Sequence, residues 1–352
     1  MTKSADFVRR LIPQYAAVSA VFLVGLVCAS SRGHAQATHE GMPTLGPPVV
    51  SSSAPAPAPD PLATITGWFC PMHPAHTASE AGKCPICGMA LIAGDPYDTA
   101  DYALDFATSP VAVASGTPFT MSFTVRHPAT GKTVANYETV HDKRYHLFVV
   151  SQDLTVFQHL HPDLQPDGSW KMELTLAKPG YYRVLSDFLP SGGSPQFLGR
   201  SLVTTDFEGD LESQTANLQA ETVLERTVDS ISASVSLDPS PLVAGQYGHL
   251  QFVLKDAATG APVTDLQPYL GAFGHTLILS EDLGDYVHSH PTEGPEHDIS
   301  KGFGGPRVTF EGFMPRPGRY RAFTQFLRND HLTTVSFTFD VLTLEDAVRE
   351  RP

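Results

Sequence analysis

The chain has 352 residues, enough for two or three domains with separate cores. With 41% hydrophobic and 17% charged residues it is too apolar to be disordered throughout. A formal net charge of −14 excludes a general nucleic-acid or anionic-membrane binder, and it attracts cations only mildly and without specificity.

Lys3, Arg9 and Arg10 make a basic start, an apolar run extends from Tyr15 to Ala29, and Ala35-Gln36-Ala37 offers an A-x-A cleavage site. Residues 1–37 are therefore predicted to be a signal peptide cleaved after Ala37, which makes the mature chain periplasmic or secreted. An uncleaved N-terminal membrane anchor is the alternative. Cleavage removes four basic residues and one acid from totals of 23 and 37, leaving 19 and 36 and a net charge near −17. Residues 38–66, with the run Ser51-Ser-Ser-Ala-Pro-Ala-Pro-Ala-Pro59, read as an extended Pro/Ala/Ser-rich linker.

A short module, residues 67–96, comes next. Cys70-Pro-Met-His73-Pro and Cys84-Pro-Ile-Cys87-Gly-Met89 are separated by ten residues after His73. Each pair, C-x2-H and C-x2-C, can put two ligands on one turn, and together they complete a tetrahedral shell of three thiolates and one imidazole. The prolines stiffen both turns, and Gly88 permits the reversal after Cys87. Cys70, Cys84 and Cys87 are the cysteines left after cleavage. Disulfide pairing would strand one of them, whereas metal ligation uses all three. His76 competes with His73 as the fourth ligand, and Met72 and Met89 are soft donors or plain apolar contacts. The module is too small for a core of its own, so bound metal is expected to supply much of its folding free energy.

The rest is an internal repeat, residues 102–206 and 232–342, joined by a linker at 207–231. Tyr145-His-Leu-Phe-Val-Val-Ser-Gln-Asp-Leu-Thr-Val-Phe-Gln-His159-Leu-His161-Pro matches Gly274-His-Thr-Leu-Ile-Leu-Ser-Glu-Asp-Leu-Gly-Asp-Tyr-Val-His288-Ser-His290-Pro. The offset is 129 residues up to the histidines and 138 at the later Pro-Gly-x-Tyr-Arg motif, so the second copy holds nine extra residues, a loop near 292–306. Period-two segments such as Phe119-Thr-Met-Ser-Phe-Thr-Val125 predict strands throughout, with helix expected only in the polar stretch 211–228. The predicted fold is mainly β: the metal knuckle followed by two tandem immunoglobulin-like or cupredoxin-like β-sandwiches.

Each copy has three equally spaced histidines: His146, His159, His161 and His275, His288, His290. If tight turns at 151–154 and 280–283 close each hairpin symmetrically, His146 faces His159 and His275 faces His288. Opposed Cβ atoms would be about 4.5–5.5 Å apart, close enough to share an ion. A one-residue slip would break either cluster. This predicts a second site of His146, His159, His161 and Asp187, and a third of His275, His288 and His290. Gln325 stands in the third site where the second has Asp187. The competing reading is that these histidines only cap strand ends. His39, His127, His141, His249, His297 and His331 read as solvated.

Trp68-Phe-Cys-Pro-Met-His-Pro and Gly82-Lys-Cys-Pro-Ile-Cys-Gly-Met-Ala-Leu91 closely resemble the heavy-metal-binding domain of copper- and silver-transporting P-type ATPases and metal-efflux adaptors. The resemblance covers about thirty residues, by direct reading of the motif. It implies Cys70, His73, Cys84 and Cys87 as ligands of a soft or borderline ion (Cu+, Cu2+, Zn2+ or Ag+), and a membrane transporter or efflux component as partner. The repeats resemble, at fold level, the small exported YtkA-like β-sandwiches. No ATPase motif, nucleophile motif or phosphate loop is present, so the expected function is binding: metal sequestration or transfer in metal homeostasis and resistance, without enzymatic activity. The alternative is a cell-envelope interaction protein with a structural zinc knuckle.

Overall fold

The computed structural model describes residues 67–73, 75–94, 102–292 and 298–349. The predicted signal peptide and the Pro/Ala/Ser-rich linker lie outside these residues.

Alternating apolar residues build both repeats into two-sheet sandwiches. In the first, Ala103–Ser109, Phe119–Arg126, Trp170–Leu174 and Asp163–Leu164 form one sheet in that order. Gln196–Val203, Tyr181–Phe188, Tyr145–Ser151 and Phe157–Leu160 form the other. The second repeat pairs Glu225–Val228, Ile231–Asp238, Gln246–Asp256 and Arg307–Met314. Its facing sheet runs Leu242–Val243, His331–Leu342, Gly318–Arg328, His275–Ser280 and Tyr286–Ser289. The histidine hairpin thus occupies one edge of a sheet whose other main strands are the last two of the repeat, the order of an immunoglobulin-type sandwich. The stretch expected to be helical forms only a 3-10 turn, Glu212–Gln214, and the strand Glu225–Val228. Ala216 and Leu218 are drawn into an apolar core, which no amphipathic helix could supply from so polar a sequence.

Tyr145–Ser151 is buried at every position, and so is His275–Ser280. Tyr145, Leu147 and Val149 fill the core of their own sandwich. The alternate residues Phe148 and Val150 meet Leu277, Leu279 and Phe323 of the other repeat in a separate apolar cluster. The two histidine-bearing sheets therefore pack against each other. Phe157 stacks on Phe323 with ring centroids 4.5 Å apart, and Phe197 stacks on Tyr286. Such pairs add about 0.5–1.5 kcal/mol each beyond area burial.

The hairpins differ from the predicted register by two residues. Phe148 lies opposite His159, and Leu277 opposite His288. The turns are longer than expected: the Ser151 N–H donates to the Val156 carbonyl (3.0 Å) and the Ser280 N–H to the Asp285 carbonyl (3.1 Å). Leu154 is the reason in the first copy, because it sits at φ 57° and is fully buried in the inter-repeat core, which widens the turn. A two-residue shift preserves the face, so the histidines still point the same way. They meet diagonally instead of directly.

Asp153 closes the first turn by accepting from the Ser151 hydroxyl (2.6 Å), the Thr155 N–H (3.2 Å) and Lys178. Burial pushes its carboxyl up, but the Lys178 ammonium and these donors outweigh burial and hold it down at about 2. Because the folded value lies below the ordinary 3.8, its stabilisation is present above that pH and is lost as pH falls toward 2. Asp153→Ala should lower stability at neutral pH by about 1 kcal/mol. It should also flatten the acid limb of a urea-unfolding series taken between pH 5 and pH 2; an unchanged limb would contradict this role.

Candidate metal centres

Three two-residue strands, Trp68–Phe69, Thr77–Ala78 and Ile92–Ala93, frame the knuckle, and Gly88 reverses the chain at φ 71°. Ligand atoms of Cys70, His73, Cys84 and Cys87 lie within 4.8 Å of one another. The Cys70 Sγ is 3.5 Å from Cys87 Sγ, and both Cys70 Sγ and Cys84 Sγ are 3.7 Å from His73 Nδ1. A tetrahedron with bonds of about 2.3 Å to sulfur and 2.0–2.1 Å to nitrogen has edges of about 3.6–3.8 Å. The donor set therefore fits a soft metal ion. His76 is outside the cluster.

The knuckle is docked, not free on its tether. Phe69 and Ile92 pack with Leu189 of the first repeat. On the other side His73 Nε2 lies 3.1 Å from Glu311 Oε1 of the second repeat. Glu311 is steadied in turn by His249 on the adjacent strand, with Nε2 at 3.3 Å. A carboxylate only accepts, so the His73 proton is on Nε2 and the Nδ1 lone pair faces the sulfurs. Hydrogen bonding from the Cys87 thiol holds the Cys70 thiol down at about 4 against the opposing effect of burial, while the Cys87 thiol is pushed up by its bond to Cys70. Metal entry must therefore displace protons from the remaining thiols.

The two predicted histidine sites are not separate. Sheet-on-sheet packing brings both hairpins together, and the partners cross between repeats. Asp187 does not ligate with its own repeat's histidines: its Oδ2 accepts from His288 Nδ1 (2.8 Å) and from the Tyr286 hydroxyl (2.9 Å). Gln325 Oε1 reciprocally contacts His159 Nδ1 at 2.9 Å. Two ligand groups result, His146–His159–His288 and His141–His275–His288–His290, and His288 belongs to both. His161 stands beside the first group, its ring 5.0 Å from that of His146, without joining it.

His141 and His249, expected to be solvated, do specific work: His141 is 8% exposed and sits within the second group, and His249 holds Glu311. The second repeat has Leu270 at the place of His141, in the same left-handed backbone conformation (φ 52° and 54°). That replacement was the available sequence signal, because a histidine absent from the sister copy is not merely inherited. Nothing local marks Glu311, which reaches His73 from 238 residues away.

Burial and the neighbouring histidines hold His141, His275 and His290 well below the ordinary imidazole range, while burial lowers His146 to about 4 and His161 to about 3. These rings are neutral at physiological pH, the state that ligates metal. A cavity of about 260 Å³ joins the two centres, lined by Met72, His73 and Glu311 on one side and by His141, His146 and His288 on the other.

Comparison with known proteins gives two family matches. The Heavy metal binding domain model matches residues 68–93. A model described as a domain of unknown function, DUF8832, matches residues 98–197 and 226–343. No curated protein matches the chain. Among solved structures, the chain is similar to the Yersinia pseudotuberculosis adhesin InvE at 12% identity and TM-score 0.20, over 68% of this chain and 60% of that one. The Escherichia coli adhesin FdeC matches at 15% identity and TM-score 0.23, over 72% and 68%. A two-domain fibronectin type-III segment of chicken tenascin matches at 12% and 0.20, over 68% and 100%. Scores this low carry no argument about function. The DUF8832 match spans most of both repeats and more than half of the chain, and the protein belongs to that family.

Proposed function

We propose that this protein is an exported heavy-metal-binding protein that captures a soft or borderline ion (Cu+, Cu2+, Zn2+ or Ag+) at Cys70, His73, Cys84 and Cys87. It sequesters that ion or passes it on in metal homeostasis or resistance, without catalysing a reaction. One observation carries this reading: three sulfurs and an imidazole nitrogen lie at tetrahedral separations, with the imidazole proton already anchored on Glu311. Release to a partner is supported by the half-buried Cys87 beside Ile86, an exposed apolar side chain at 44%. A membrane metal transporter or efflux component is the partner we assign to that edge.

A second reading, a structural zinc knuckle in a cell-envelope interaction protein, draws on the docking itself. The module touches the first repeat through Leu189 and the second through Glu311, so a fixed ion there would brace the two.

Anaerobic titration of the reduced protein with Cu+ and with Zn2+, counting ions by native mass spectrometry, separates the two. The transfer reading expects tight Cu+ binding that Cys84→Ser and Cys87→Ser abolish, and exchange with a competing chelator within minutes. A single zinc that never exchanges would favour the structural reading, and no tight metal in the unaltered protein would refute both. Glu311→Ala should weaken the knuckle site by about 10–100-fold, the range typical for loss of a residue that orients a metal-bound histidine. Competition against a chromophoric chelator measures this; equal affinity would show that Glu311 merely lines the cleft.

A further inference from the structure

We propose that the histidine centre between the repeats is a second, all-nitrogen metal site for a divalent transition-metal ion, with His288 as its central ligand. The inference goes beyond the knuckle and does not depend on it.

The argument is the placement of protons. His146 Nε2 is 2.9 Å from the Val140 carbonyl oxygen, which only accepts, so the His146 proton is there and Nδ1 carries the lone pair. The Gln325 amide nitrogen is engaged with Thr334 (3.2 Å), so its oxygen faces His159 and takes the Nδ1 proton. His275 Nε2 points at the Leu270 carbonyl at 3.4 Å, and His288 Nδ1 donates to Asp187. Every one of these protons is turned outward.

The inward nitrogens then confront each other as lone pairs: His146 Nδ1 and His159 Nε2 at 3.1 Å, His275 Nδ1 and His288 Nε2 at 3.4 Å. A network of hydrogen-bonded imidazoles would place a proton in each gap; here neither nitrogen of either pair has one to give. Facing lone pairs repel unless a cation lies between them. Bonds of about 2.0–2.1 Å give nitrogen–nitrogen edges of about 2.9 Å at right angles and about 3.4 Å in a tetrahedron, which brackets both gaps. Independently, His141 Nδ1, His290 Nε2 and, beside the groups, His161 Nε2 are buried with no hydrogen-bond partner. For His141 and His290, which share a ligand group, a metal ion would relieve that costly state. His141 Nε2 lies 3.2 Å from the Met89 sulfur, a weak acceptor, which again leaves the free lone pair on Nδ1.

Neutral imidazoles suit Zn2+, Cu2+, Ni2+ or Co2+. Because His288 Nδ1 is committed to Asp187, its single free nitrogen serves one ion at a time, either with His146 and His159 or with His141, His275 and His290. The ligands come from both repeats, so the ion also ties one repeat to the other.

The test uses the full chain with Cys70→Ser, Cys84→Ser and Cys87→Ser, titrated with Co2+ and followed by absorption and calorimetry. One ion per chain is expected, giving d–d bands without sulfur charge transfer and raising the unfolding temperature. His288→Ala in this background should weaken binding by at least about 100-fold, more than the loss of an outer partner, and Asp187→Asn by about 10–100-fold. His161→Ala should leave affinity within about threefold, since His161 belongs to neither group. No ion bound, or binding undiminished by His288→Ala, overturns the proposal. Should the cysteine variant fail to fold, unaltered protein answers instead. Once the sulfur charge-transfer band is saturated, a second equivalent of Co2+ must bind without increasing it, and absence of that equivalent overturns the proposal.

Discussion

The face-to-face packing of the two hairpin sheets is the constraint on which the rest of the molecule depends. Tyr145–Ser151 and His275–Ser280 are covered on both sides, once by their own sandwich and once by the other repeat. Phe148, Val150, Leu277, Leu279 and Phe323 make the shared surface dry. Two residues further along the same strands that surface turns polar, at His146, Asp187, His275 and Gln325. A buried polar group is tolerated only when it is bonded, so the frame that excludes water also decides which histidine meets which oxygen.

The near-symmetry of the repeats explains why the contacts cross. His146 pairs with Asp187 in its own sheet, and His275 with Gln325 in its own. Yet Asp187 reaches His288 and Gln325 reaches His159 in the opposite repeat. The frame is duplicated but the chemistry is not. An anionic oxygen stands behind one histidine and a neutral amide behind the other, and His141 has only Leu270 as its counterpart. A carboxylate makes its imidazole a stronger donor than an amide does, so the centre is biased toward His288.

Much of this was legible in the residues. C-x2-H and C-x2-C in a chain with three cysteines after residue 37 pointed to the knuckle ligands, because the spacing alone puts two donors on each turn. Period-two alternation pointed to sandwiches, and aligning the copies paired Asp187 with Gln325. What was missed is tertiary. The run Leu147-Phe-Val-Val150 lacks alternation, the sign of a strand covered on both faces, and that sign implied a partner sheet. The hairpin register went astray because Leu154 widens its turn to reach a core that belongs to neither repeat alone. Glu311 could not be seen at all, since its outward position on an alternating strand looks like any solvated carboxylate.

The two centres differ in kind while sharing one cavity. Sulfur donors with a single imidazole favour soft ions, and neutral imidazoles favour borderline divalent ones. The spacer between them is short and itself donor-bearing: the Met89 thioether, two residues after Cys87, touches His141 of the histidine centre. Met72 and His73 line the cavity from the knuckle side, and His141 and His288 from the other. The knuckle is held with its ligand-bearing face turned toward the inter-repeat cleft and its ligand histidine, His73, anchored on the second repeat. That orientation makes the docking of the small module part of the chemistry of the large ones.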